Sequence, residues 1–202
     1  MKALDLLTAY RTVRGRTVSV CAPLSAEDQL LQSMPDASPT KWHLAHTTWF
    51  FEAFVLDDHA RDALWNSYYD ALGARTVERA RRGVLSRPSL DEVRAYRASI
   101  DERIETALSA DALTPEQRAV CELGLHHEQQ HQELILTDLE HALGTQPLRP
   151  AYRDDLVREL AGAIAPLAWT EHGGGIASIG ATGRGFAFDN ERPRHQVMVA
   201  PK

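Results

Sequence analysis

The sequence predicts a mainly α protein: a helix bundle over residues 1–146, then a linker or short helix over 147–168. Residues 169–202 read as the strand-containing start of an incomplete α+β second domain. Three observations carry this. Apolar residues recur at helical spacing in several long segments of the first part, each with recognisable start signals. No alternating strand pattern interrupts them. From Trp169 the text changes to GGGIASIGATGRGFAFDNERPRHQVMVAPK, punctuated by glycine and alternating at its end.

The first helix is expected from Leu4 to about Leu24, with Leu6, Leu7, Tyr10, Val13, Val18 and Cys21 on its apolar side and Pro23 near its end. Met34–Pro39 punctuates the chain. Ser38 as cap and Pro39 at the first position then start a second helix, PTKWHLAHTTWFFEAFVL. Trp42, His46, Trp49 and Ala53 share one of its stripes, which turns His46 inward between two tryptophans. The segment 57–87 is mixed, with Trp65–Tyr69, Gly73 and a run of arginines at 75, 79, 81, 82 and 87. On composition that run is a solvated face; the sharper reading is an anion-binding loop, because guanidinium suits carboxylates.

Ser89-Leu90-Asp91-Glu92 is a capping box opening a third helix to about Ser109, with Val93, Tyr96, Ile100, Ile104 and Leu108 inward. Thr114-Pro115-Glu116-Gln117 is a second box, opening a helix expected to end at Gly144. In the tail, His195, Val197 and Val199 alternate with Gln196, Met198 and Ala200.

With 44% hydrophobic and 25% charged residues the chain has the composition of a folded, soluble domain. A net charge of −6 argues against nucleic acid as a partner. Cys21 and Cys121 alone make no disulfide framework, and a reducing cytoplasm is the expected location. No apolar run approaches the roughly 20 residues of a membrane helix.

The chemistry concentrates in LHHEQQHQEL, Leu125–Leu134. His127 and His131 are four apart, one helical turn, on a stripe with Val120, Leu123 and Leu134. Two inward imidazoles one turn apart can hold a metal ion, and His46 supplies a third. A lone inward histidine is more often a core residue satisfied by hydrogen bonds. The pair together with a third makes the metal the better reading. His43, His126 and His141 are assigned to the surface or to support of the ligands. Glu133 turns away from the ligand face and is expected to orient a neighbouring group. Three imidazoles suit zinc, iron, nickel or copper alike.

His127-Glu128-Gln129-Gln130-His131 also fits H-E-x-x-H, the zinc-protease signature with glutamate as general base. Leu134 and Thr137 stand where the extended form needs glycine and histidine. No strand precedes the helix to present a peptide, and the protease reading is set aside.

Five segments together are more specific: SPTKWHLAHTTWFFEAF (38–54), WNSYYDALG (65–73), LSRPSLDEVRAYR (85–97), HHEQQHQELILTDLEHAL (126–143) and FAFDNERPRHQVMV (186–199). They resemble the EgtB-type sulfoxide synthases of ergothioneine biosynthesis, and the related ovothiol synthases share much of the pattern. The resemblance implies a DinB-like four-helix bundle followed by a domain similar to formylglycine-generating enzymes (sulfatase-modifying factors). It implies a non-haem Fe(2+) on His46, His127 and His131. The activity implied is O2-dependent C–S bond formation between a cysteine or γ-glutamylcysteine thiol and Nα-trimethylhistidine (hercynine). It further implies that Gln130 lies near the substrate imidazole and that arginines around Arg79, Arg82 and Arg87 grip the thiol substrate's carboxylate. Such proteins continue well past the FAFDNERPRHQVMV strand pattern, where the catalytic residues are expected; the 202-residue chain alone is expected to turn over poorly. A DinB-type divalent-metal thiol S-transferase or hydrolase is the rival enzyme, and a non-catalytic bundle with core histidines the rival from outside enzymology.

Overall fold

The computed structural model describes residues 3–66, 77–155 and 165–201. Ser67–Tyr69, Gly73 and Arg75 of the mixed segment, and residues 156–164 of the suggested short helix, lie outside them. The chain forms two compact units, Met1–Asp154 and Asp155–Lys202. The described residues are mainly helical, with one small antiparallel sheet near the C-terminal end.

The first unit is built on α1 (Ala3–Cys21), α2 (Thr40–Phe50), α4 (Leu90–Ser109) and α5 (Pro115–Thr145), with a single turn, α3 (Asp62–Trp65), between α2 and α4. Helix α1 packs on α4 and α5, and α2 packs on the same two, the ring of contacts of a four-helix bundle. Both capping boxes form: Ser89 with Glu92 opens α4, and Thr114 with Gln117 opens α5. Each satisfies donors that a helix start leaves without partners.

Along α1, α4 and α5 the buried residues run apolar, polar, apolar. On α1, Leu6, Leu7, Tyr10 and Val13 belong to one apolar cluster and Val20, Cys21 and Leu24 to another, with Arg14 and Thr17 buried between them in sequence. Arg97 separates Val93 from Ile100 on α4, and Glu128 separates Leu125 from Ile135 on α5. These polar residues meet in a waist. Glu128 accepts hydrogen bonds from Arg14 (2.9 Å), Arg97 (2.5 Å) and Thr17 (2.6 Å), and Arg14 also reaches Asp101 (2.6 Å) and Thr48 (3.1 Å). Buried charge is tolerated there because each ion is paired and hydrogen-bonded.

Four local expectations are corrected. Val18 is 56% exposed, because Arg14 and Thr17 take the inward positions of α1 around Glu128. Ser38 does not cap α2; its N–H donates to Asp138 Oδ2 (2.9 Å), its hydroxyl accepts from Arg82 (2.9 Å), and Pro39 stands at the cap. Gly144 lies inside α5, which runs on to Thr145 in right-handed geometry. The second predicted helix changes character at Phe51, where Phe51–Val55 forms a π-helix. The wider turn buries Phe51, Glu52 and Val55 together, and Glu52 meets the Tyr96 hydroxyl and Arg61.

In the second unit, β1 (Gly175–Ile179) pairs antiparallel with β2 (His195–Val199), in the register Ala177 opposite Val197. Glu191 accepts from the Phe188 N–H (2.7 Å), and Arg194 donates to the Gly180 carbonyl (2.7 Å). No helix of the described residues is long and apolar enough to cross a membrane.

Candidate metal centre

His46 sits in the middle of α2, a helix buried on every side. Its ring stacks on Trp42 (centroids 4.5 Å, planes 13° apart) and on Trp49 (5.4 Å, 26°). The spacing explains this, since residues four before and three after share its face. His46 Nδ1 lies 2.7 Å from the Trp65 carbonyl, so Nδ1 carries the proton and Nε2 the lone pair. His127 and His131 come from α5, with ring centroids 4.6 Å apart and 5.1 and 4.9 Å from that of His46. One nitrogen from each of the three falls within 4.8 Å of the others.

The face of α5 that carries the pair is not the one its apolar neighbours suggest. Leu123 is 36% and Leu134 40% exposed, while the fully packed stripe is Cys121, Leu125, Glu128, Ile135 and Leu139. The histidines lie beside that stripe, at the wall of a cleft of about 410 Å³. His127, Gln130, His131, Leu134 and Asp138, all on α5, line one side of it.

The other side comes from α2 and from the 3-10 turn Arg79–Val84. That turn is pinned by Gln32, whose amide donates to the Arg79 carbonyl (2.7 Å) and accepts from the Gly83 N–H (2.5 Å). Below it, Lys41 donates to the carbonyls of Leu85 and Pro88 (2.6 and 2.7 Å). So anchored, Arg82 is buried with its guanidinium 3.4 Å from the centre of the Trp42 ring. Arg79 is exposed at the same cleft. Arg87 is not among the cleft's lining; it is exposed and donates to its neighbour's carbonyl at Ser86 (3.2 Å).

Burial governs the electrostatics of the trio. It pushes His46 and His131 well below the ordinary imidazole value, with His127 repelling charge on His46 and His43 on His131. Burial also lowers His127 to about 4. All three are neutral at physiological pH, the state in which imidazole binds a metal. The buried Nδ1 of His127 has no hydrogen-bond partner among the described residues. Three neutral nitrogen donors, one ring nitrogen with no partner among the described residues and an adjoining cleft fit a divalent metal with open coordination positions.

Glu133, expected to orient a neighbouring group, is exposed, and its carboxylate makes no hydrogen bond or ion pair among the described residues. Two residues beyond His131 on a helix, it is rotated too far round. Asp138 stands where such a group is useful: it lies 3.1 Å from His43 Nε2, and His43 Nδ1 lies 2.8 Å from His131 Nδ1. Its signal was in the sequence, for it follows His131 by seven residues, two turns along the same face. His141 is paired with Ser33 (2.8 Å), outside the cleft lining. Glu128 is buried and engaged by Arg14, Arg97 and Thr17, with no freedom to act as the base of a protease.

A comparison with curated proteins finds none that matches the chain. Residues 9–135, the bundle from within α1 through the histidine pair of α5, match the DinB superfamily. That span covers more than half of the sequence and all three clustered histidines, and the chain therefore belongs to the DinB superfamily.

Proposed function

We propose that the bundle holds one Fe(2+) on His46, His127 and His131, as part of a sulfoxide synthase of ergothioneine biosynthesis. Residues 169–202 are read as belonging to a formylglycine-generating-enzyme-like domain. The observation that carries the reading is the histidine trio opening onto a cleft that also presents Gln130, Arg79 and Arg82. In the reaction, a thiol S–H and an imidazole C–H are lost as the C–S bond forms, and the sulfur is oxidised to a sulfoxide. These two oxidations give four electrons to O2; one oxygen stays on sulfur and the other leaves as water.

Fe(2+), when bound, supplies acidification of the thiol and activation of dioxygen. The protein supplies the rest. Neutral ligands leave the metal's full charge in place, and with Arg79 and Arg82 nearby the cleft attracts a thiolate bearing a carboxylate. Arg82 is the better anchored of the two, held by Ser38 and Trp42. The Gln130 amide, with no side-chain hydrogen bond among the described residues, is available to a ring nitrogen of hercynine. Holding both substrates beside one ion makes the bond-forming encounter local.

The superfamily match covers the bundle alone, which keeps a divalent-metal thiol S-transferase or hydrolase as the second reading. The test is O2 uptake and product mass with the Fe(2+)-loaded protein, hercynine, and cysteine or γ-glutamylcysteine, run beside anaerobic controls. A thiol-dependent change in the iron–nitrosyl EPR signal is expected, with low turnover in which any sulfoxide forms only with O2. Metal-dependent thiol transfer without O2 would overturn the reading in favour of the second.

A further inference from the structure

Asp138, His43 and His131 form a line of contacts from α5 through α2 and back to the trio. Asp138 Oδ2 accepts the Ser38 N–H (2.9 Å) and faces His43 Nε2 (3.1 Å); His43 Nδ1 faces His131 Nδ1 (2.8 Å). The protons along this line can be assigned. A carboxylate oxygen only accepts, so His43 Nε2 carries hydrogen. A neutral imidazole has one N–H, which leaves His43 Nδ1 bare. Two ring nitrogens at 2.8 Å need one hydrogen between them, and it therefore sits on His131 Nδ1. The lone pair of His131 is left on Nε2. His43 is only 2% exposed, and these two contacts occupy both of its ring nitrogens.

We propose that Asp138 is a positioning residue: through His43 it holds His131 as the Nδ1–H tautomer and so leaves Nε2 as the nitrogen that binds metal. His46 reaches the same tautomer by a different route, the Trp65 carbonyl. The two ligands are thus set independently, one by backbone and one by a carboxylate two residues removed. The inference rests on the metal site proposed above and on no particular reaction there.

The test begins with the metal-free protein. Long-range 1H–15N spectra are expected to show Nε2–H on His43 and Nδ1–H on His131 and His46. Nε2–H on His131 would overturn the proposal without any variant. Asp138→Ala is then expected to populate the other His131 tautomer and to weaken Zn(II) and Fe(II) binding about 10–100-fold. Asp138→Asn is expected to bind nearly as the wild type, because the Ser38 N–H keeps an amide oxygen facing His43. His46 in the same spectra reports whether each variant is folded. Unchanged tautomer and affinity in a folded Asp138→Ala would defeat the relay while leaving the metal site intact. A wild type that binds neither metal, with the expected tautomers present, would defeat the metal site instead.

Discussion

The planes of Trp42 and His46 lie 13° apart with their ring centres separated by 4.5 Å, and the guanidinium of Arg82 stands 3.4 Å from the centre of the Trp42 ring. One indole thus joins the histidine trio to the cation of the cleft. Trp42→Ala removes the support of both and opens a cavity in a helix buried all round. The expected loss is about 3–5 kcal/mol of stability, read from urea unfolding. Trp42→Phe, which keeps an aromatic face for both neighbours, is expected to cost distinctly less.

Acid is expected to unfold the metal-free protein in two stages. The buried histidines bind protons less readily when folded than when unfolded, so stability falls as pH drops from about 6.5 to about 4, where His127 titrates. For His127 this is a slope of about 1.4 kcal/mol per pH unit across that window, and His46 and His131 act in the same direction. Burial alone would raise the Glu128 carboxyl; Arg14, Arg97 and Thr17 outweigh it and hold the group at about 2. Its contribution is whole above about 4.5 and lost as pH falls from there toward 2. In Glu128→Gln the upper stage should remain and the lower one flatten, with a loss at neutral pH of about 3–5 kcal/mol because Arg14 and Arg97 keep an unpaired excess of charge. Urea midpoints at a series of pH values check this, and an unchanged lower stage would contradict it.

Two glycines of α5 should respond to alanine in opposite directions. A Cβ on Gly124 would meet Phe51 Cε1 at 2.7 Å and Cζ at 2.9 Å, where α5 closes on the π-helix. Gly124→Ala is expected to destabilise by about 1–3 kcal/mol despite alanine's higher helix propensity. A Cβ on Gly144 would meet nothing within 4 Å, and Gly144→Ala should stabilise by up to about 1 kcal/mol. Thermal melts of the pair decide the matter.

What the sequence made legible was short-range chemistry. The capping boxes at Ser89 and Thr114 satisfy donors three residues away, and the i, i+4 spacing of His127 and His131 fixes their common face whatever surrounds them. The long-range part was hidden. Glu128 enters the sequence reading only as the glutamate of H-E-x-x-H, because its partners Arg14 and Arg97 lie 114 and 31 residues away. That waist rotates α5 so that Leu123 and Leu134 face outward, and the histidines border the core rather than point into its centre. Ser38 likewise looks like a cap, because Asp138 and Arg82, which claim it, lie 100 and 44 residues off. The arginine run was readable as a solvated face or an anion-binding loop without saying which arginine enters the site; the Gln32 tethers at Arg79 and Gly83 bracket Arg82, which lines the cleft, whereas the Arg87 side chain is exposed.

The most direct test of the shared point in the bundle is X-ray absorption of the protein loaded with one equivalent of Zn(II), beside His46→Ala. Three imidazole nitrogens at about 2.0–2.1 Å are expected in the wild type and two in the variant. A wild-type spectrum fitted by fewer than three imidazoles, or one that His46→Ala leaves unchanged, would contradict a metal held jointly by α2 and α5.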